Sequence, residues 1–202
     1  MRAIWITRPA GPEALEVRET ADPEPGRGQV RIRVHAAGLN FAEVMAAQGL
    51  YPDAPKPPCV VGYEVAGVID ALGDGTQGHA AGQRVLALTR FGGHADVVCV
   101  PAEQVLPMPE AMSFEDAAAI PVNYLTAYHM LFRVAGVRPG ERVLVHMAAG
   151  GSGRRCCNCA RPWMIWKSSA RPRPPSTTRS RPKVARTPST TTPPTMPPRS
   201  AG

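Results

Sequence analysis

The chain has 202 residues and a formal net charge of +7, but the charge is unevenly placed. Residues 152–202 hold eleven Lys and Arg, ten Pro, seven Ser, seven Thr and no Asp or Glu, which leaves residues 1–151 at −4. A basic average suggests nucleic acid or an anionic surface; an acidic body argues against a specific nucleic-acid site, and no apolar run reaches the ~20 residues that span a bilayer.

At the N-terminus, Met1–Thr7 is too short an apolar stretch for a secretory signal, and Arg8 and Pro9 end it. A cytoplasmic location is therefore expected. The body has two cysteines, Cys59 and Cys99, both in apolar runs that suit buried free thiols. Cys156, Cys157 and Cys159 follow no zinc-ligand spacing.

Residues 1–110 read as short strands between Gly/Pro breaks. The pattern predicts strands at 3–7, 15–19, 29–36, 60–69, 84–87 and 95–100. One helical segment is expected at 40–48. Many short strands with glycine corners point to a small, partly closed β-barrel. Ser113 then opens a helix, with Asp116 three residues on as a capping-box variant. A second helix is expected at 123–134, and Arg142–His146 reads as an apolar strand.

That strand runs into the glycine loop Ala148-Ala149-Gly150-Gly151-Ser152-Gly153. Strand, glycine loop and following helix open a dinucleotide-binding βαβ unit. Ala148 takes the first glycine position of G-x-G-x-x-G. Gly150 lets the backbone approach a pyrophosphate, and Gly153 lets the helix pack on the strand. A plain structural turn is the competing reading.

Taken in order, several motifs carry a resemblance: Gly38-Leu39-Asn40-Phe41-Ala42-Glu43, Gln48-Gly49-Leu50-Tyr51, Gly62-Tyr63-Glu64-Val65-Ala66-Gly67, Pro109–Glu115, Asn123–Tyr128 and His146–Gly151. Through them the body resembles the medium-chain dehydrogenase/reductase superfamily. It is most similar to the zinc-free quinone oxidoreductase branch and, within that, to the synaptic vesicle amine-transport-protein-like reductases. The resemblance implies an α/β fold with a β-barrel: a GroES-like substrate domain at 1–110, then at 111–153 the start of a Rossmann domain that binds NADPH. It also implies a small-molecule quinone or enone substrate, an enoyl thioester being the alternative, and a homodimer for the intact family.

Zinc-dependent relatives place a Cys and a His where this chain has Asn40 and Tyr63. An amide and a phenol are not usual zinc ligands, so no metal is expected. The resemblance places Asn40, Tyr51 and Thr126 around the nicotinamide. Asn40 can donate an amide N–H, and the Tyr51 hydroxyl can polarise the acceptor or relay a proton. Tyr51 could instead be a turn aromatic, and Thr126 a helix residue bonding back to its own carbonyls. Cofactor contacts are expected from Asn40, Thr126, Ala148, Ala149, Gly150, Gly151 and Gly153.

The tail, residues 154–202, has too few large apolar residues to offset its conformational entropy and is expected to be disordered. Its codons, regrouped by one base, explain its composition. Trp163-Met164 and Met164-Ile165 then must give Asp, Trp166-Lys167 Glu, and Met196-Pro197 Ala. At degenerate codons, a choice that follows the family yields an Ala/Val/Leu-rich helix, a strand, a turn suited to a 2′-phosphate and another helix. The expectation is a frameshift after Gly151, hence a truncated Rossmann domain and a catalytically incompetent chain. The competing picture is a non-catalytic fragment whose basic tail binds anionic partners.

Overall fold

β-Branched residues alternate with polar ones along β3, Gln29–Ala37, so that Val30 and Ile32 are fully buried while Arg33 faces solvent. This alternation sets the register of a five-stranded antiparallel sheet, ordered β7-β3-β5-β6-β8. Its other strands are β5 Glu64–Leu72, β6 Arg84–Leu88, β7 Val97–Pro101 and β8 Val105–Pro107. A three-stranded sheet, ordered β2-β1-β4, comprises β1 Arg2–Ile6, β2 Leu15–Glu19 and β4 Cys59–Val60. This computed structural model describes residues 1–146 and 149–160, all of which fall in one unit, Met1–Lys167.

The barrel core is aliphatic: Val30, Ile32, Val65, Ile69, Val85, Val98 and Val100 form one buried cluster. Two irregularities in the β3–β5 register, at Arg31/Ile32 and Val34/Ala36, bend the sheet as closure requires. The helix α1, Phe41–Ala47, follows β3.

The expected strand at 60–69 is two strands. Gly62 breaks it, with φ at 116° and its Cα turned so closely on His94 that an added Cβ would overlap that residue's backbone nitrogen. The edge strand β8 lies where no strand was expected; three residues, ending at a proline, leave too short a pattern to read.

After the barrel, α2 runs over Phe114–Ala118 with Ser113 as N-cap. Ser113 Oγ accepts the Asp116 N–H at 3.1 Å and donates to the Asp116 carboxylate at 2.9 Å. Arg84 of β6 ties this segment to the barrel. Its guanidinium donates to the carbonyls of Glu110 and Met112 and lies 4.6 Å from the Phe114 ring centroid.

The next helix begins earlier than expected, because Pro121 suits its first turn: α3 spans Pro121–Tyr128. The chain continues as a π-helical turn over His129–Val134. Arg142–His146, expected as a strand, is not one. Among the described residues it has no strand to pair with, and Val143 and Val145 pack instead on the cluster of Ala127, Leu131, Cys156 and Ala160.

A further correction concerns the residues after the glycine loop. They form α4, Gly151–Ala160, where disorder was expected from residue 154. Cys156 and Ala160, four apart, bury one narrow face against α3. Small residues supplied the apolar face that the tail's composition concealed. The rest of the tail, 161–202, lies outside the described residues, as does Ala148 of the loop.

Candidate active site

Asn40 is extended, at the N-cap of α1. Its side-chain amide nitrogen donates to Glu64 Oε1 at 3.0 Å. Glu64 opens β5 and is only 1 % exposed; its other oxygen accepts the Val122 N–H of α3 at 2.8 Å. One carboxylate therefore fixes a site side chain on the barrel and the first turn of α3. Burial raises the Glu64 pKa, while the Val122 N–H and the Asn40 amide, which favour the ionised form, and the nearby Glu43 charge act less strongly. Gly38 makes room for this carboxylate; a Cβ there would overlap it.

Glu43 is the third residue of α1 and is 3 % exposed. Its Oε2 accepts the Asn40 backbone N–H, half of a capping box. Its Oε1 has no hydrogen-bond partner and lies 3.9 Å from His94 Nε2, which sits 3.1 Å from the Gly38 carbonyl.

Tyr51 is half-buried in the turn after α1 and packs on the cluster of Ile6, Ala46, Ala47, Cys59 and Val61. The Tyr51 and Tyr63 rings meet edge-on at 6.1 Å between centroids, and Phe91 adds a tilted contact to Tyr63 at 5.7 Å. The Tyr63 hydroxyl is buried without a partner. Its pKa is pushed up to about 12, chiefly by burial, with Tyr51, Glu43 and Asp53 adding to the effect.

Thr126 is exposed on α3, one helical turn after Val122 and so on the same face. It borders a shallow hollow with Leu125, His129 and Arg133. Asn40 and α3 are thus joined through Glu64, whereas no hydrogen bond among the described residues links Thr126 to Tyr51. The sequence reading did not single out Glu64, Glu43 or His94 as working parts. The signal for Glu43 was present in its spacing from Asn40, and that for Glu64 was a lone acid in an apolar strand.

At the loop, Gly150 and Gly151 are exposed at the start of α4. Gly151 packs closely on α3: a Cβ there would lie 2.5 Å from Asn123 Oδ1, so the Asn123 side chain would have to move aside. Asn123 Oδ1 also accepts the Ser152 hydroxyl at 3.3 Å. The first N–H groups of a helix have no partner within it, so this end of α4 offers donors and a positive dipole to a phosphate. Arg155 of α4 stacks over the Tyr124 ring at 4.9 Å. The exposed glycines and free N–H groups at this end of α4 fit a pyrophosphate.

A separate cavity lies elsewhere among the described residues. It is an open groove of about 680 Å³, walled by apolar residues of β1, β2 and α1 including Ile4, Leu15, Val17 and Val44, with Glu43 and His94 on its lining. Asn40, Tyr51 and Thr126 do not border it.

Residues 26–110 match the alcohol dehydrogenase GroES-like domain. A synaptic vesicle membrane protein VAT-1 homolog-like protein of Mus musculus is 46 % identical over 154 residues, which is 76 % of this chain and 37 % of that protein. The crystal structure of its human counterpart superimposes with a TM-score of 0.77 at 44 % identity, covering 80 % of this chain and 52 % of that one. The chain belongs to the medium-chain dehydrogenase/reductase superfamily, in its quinone oxidoreductase-like branch. Escherichia coli quinone oxidoreductase, solved in complex with NADPH, matches with a TM-score of 0.75 at 32 % identity, covering 81 % of this chain and 50 % of that one. The residues that match the GroES-like domain, 26–110, take in β3 to β8 and α1, and the fold is that of a GroES-like domain with part of a Rossmann domain. The chain spans about a third of the curated relative's length and about half of each crystal chain.

Proposed function

We propose that this chain carries the substrate-side half of a zinc-independent, NADPH-dependent oxidoreductase that reduces quinones or α,β-unsaturated carbonyls. The observation that carries the reading is the Glu64 clamp, which holds the Asn40 amide at the junction of the barrel and α3. One amide N–H of Asn40 is committed to Glu64; the second remains to donate to a substrate carbonyl or the nicotinamide amide. NADPH, when bound, supplies a hydride to the electrophilic carbon of the acceptor. Asn40 orients and polarises that acceptor, and the Tyr51 hydroxyl gives a proton to the oxygen on which negative charge develops. Thr126, one turn beyond Val122, lies on the face of α3 that meets the cofactor. The loop residues Ala148, Ala149, Gly150, Gly151 and Gly153 and the α4 N-terminus hold the pyrophosphate.

The donor set favours this chemistry without zinc, because an amide and a phenol occupy the positions of a thiolate and an imidazole. Five cysteines, all free thiols, agree with a reducing compartment such as the cytoplasm. We further infer that the second βα unit, with the adenosine ribose contacts, is encoded in the other reading frame after Gly151. The 202-residue chain would then hold NADPH poorly even though α4 forms. Asn40→Ala, made in the protein read through in that other frame, tests the site. A fall in kcat/KM of about a hundredfold or more is expected for one lost transition-state donor; unchanged turnover would remove Asn40 from the reaction.

A further inference from the structure

Two buried acids hold Asn40. Glu64 takes its side chain, and Glu43, 3 % exposed on the first turn of α1, takes its backbone N–H. The neighbouring chain is held unevenly. Gly38 is pinned, since its N–H donates to the Glu64 carbonyl at 3.1 Å and its own carbonyl lies 3.1 Å from His94 Nε2. Leu39 is 75 % exposed, so packing does little to hold the peptide that joins it to Asn40. A turn of that peptide plane changes φ at Asn40 and swings its Cα–Cβ bond, and with it the side-chain amide.

We propose that Glu43 is a positioning residue for Asn40: its carboxylate locks the Leu39–Asn40 peptide and so sets the direction from which the Asn40 amide starts. The bond is made in the structure, from the Asn40 N–H to Glu43 Oε2. Glu64 then fixes the far end of the same side chain at 3.0 Å. One amide N–H is committed to Glu64, and the two grips together decide where the other one points.

Several features suit Glu43 to this role. Its helix is seated on the barrel by Ala46 and Ala47, which pack with Ile6, Cys59 and Val61. The acceptor therefore moves with the barrel and not with the exposed Leu39 before it. A carboxylate is a stronger acceptor than a carbonyl, and burial keeps water from competing for the N–H. The catalytic value of this grip rests on the proposed reduction, but the grip itself is measured without turnover. A harmless Asn40→Ala would sink the reduction, whereas the measurements that follow bear on Glu43 alone.

The test is NMR on the 202-residue chain. The bond to Glu64 should separate the two Asn40 side-chain N–H resonances and slow the exchange of one. In Glu43→Ala the Asn40 backbone amide should exchange about tenfold faster, the equivalent of one lost hydrogen bond, while amides of the β3–β5 ladder stay protected. The side-chain resonances should at the same time draw together. Glu43→Gln, whose carbonyl can accept the same N–H, should restore both signals. Helix capping alone predicts a faster backbone amide with unchanged side-chain resonances, and that result, or unchanged backbone exchange, would overturn the proposal. Glu43→Asp, one methylene shorter, carries the same comparison if the alanine variant does not fold.

Discussion

Glu64 holds Asn40: the buried carboxylate at the start of β5 accepts the Asn40 side-chain amide at 3.0 Å, and with its second oxygen it anchors α3. Neither oxygen is spare. Glu64→Ala should leave the Asn40 amide and the Val122 N–H short of an acceptor, at a cost of about 2–4 kcal/mol in stability. Urea unfolding of the two proteins, compared at equal slope, measures it.

The same carboxylate gives a pH dependence. Burial raises its pKa from the ordinary 4.5, so the folded state binds its proton more tightly than the unfolded state does. Its contribution to stability is full below 4.5 and is lost as pH rises through the folded-state value. Melting temperatures should fall across that window in the wild type. In Glu64→Gln, which cannot ionise, this component should vanish.

Gly62 sets the break between β4 and β5 and turns Tyr63 inward. Gly62→Ala puts a Cβ against the His94 backbone at φ 116°, which neither side can relieve by a rotamer change. A loss of about 3 kcal/mol or more is expected, enough to unfold a marginal domain. Circular dichroism melts check it.

How much of this was readable in advance varied with the kind of signal. Alternation gave β3 almost to the residue, because one buried face imposes a period of two; β2 carries the same alternation in sequence although all five of its residues are exposed. Asn40–Gln48 was legible as a helical segment between strands, whereas the Asn40–Glu43 capping pair that opens it was not read. The break at Gly62 was hidden, because its cause is the packing of His94, 32 positions away. Arg142–His146 misled because an apolar run states a wish for burial, not a partner to pair with. The Glu64 clamp needed three segments, far apart in sequence, to be brought together.

The donor set at Asn40 and Tyr63 makes a plain prediction about metals. NADPH oxidation by the read-through protein should be unaffected by a strong chelator. Inhibition by chelation that is reversed by zinc would show that the amide and phenol are not the whole ligand environment.

The composition change after Gly151 makes another. Sequencing the transcript across the Gly151 codon should reveal a one-base difference from a frame that encodes an Ala/Val/Leu-rich helix. A transcript that preserves the present frame in independent isolates would make the basic tail a genuine part of the protein.

The central claim is that the barrel, α3 and the glycine loop form half of an NADPH site that the other reading frame completes. It is tested most directly by titrating NADPH, through nicotinamide fluorescence, into the 202-residue chain and the read-through protein side by side. Saturable binding with transfer of the hydride to a quinone or enone is expected for the read-through protein, with affinity weaker by a hundredfold or more in the 202-residue chain. Equal affinity in the two, or binding in neither, would contradict the account.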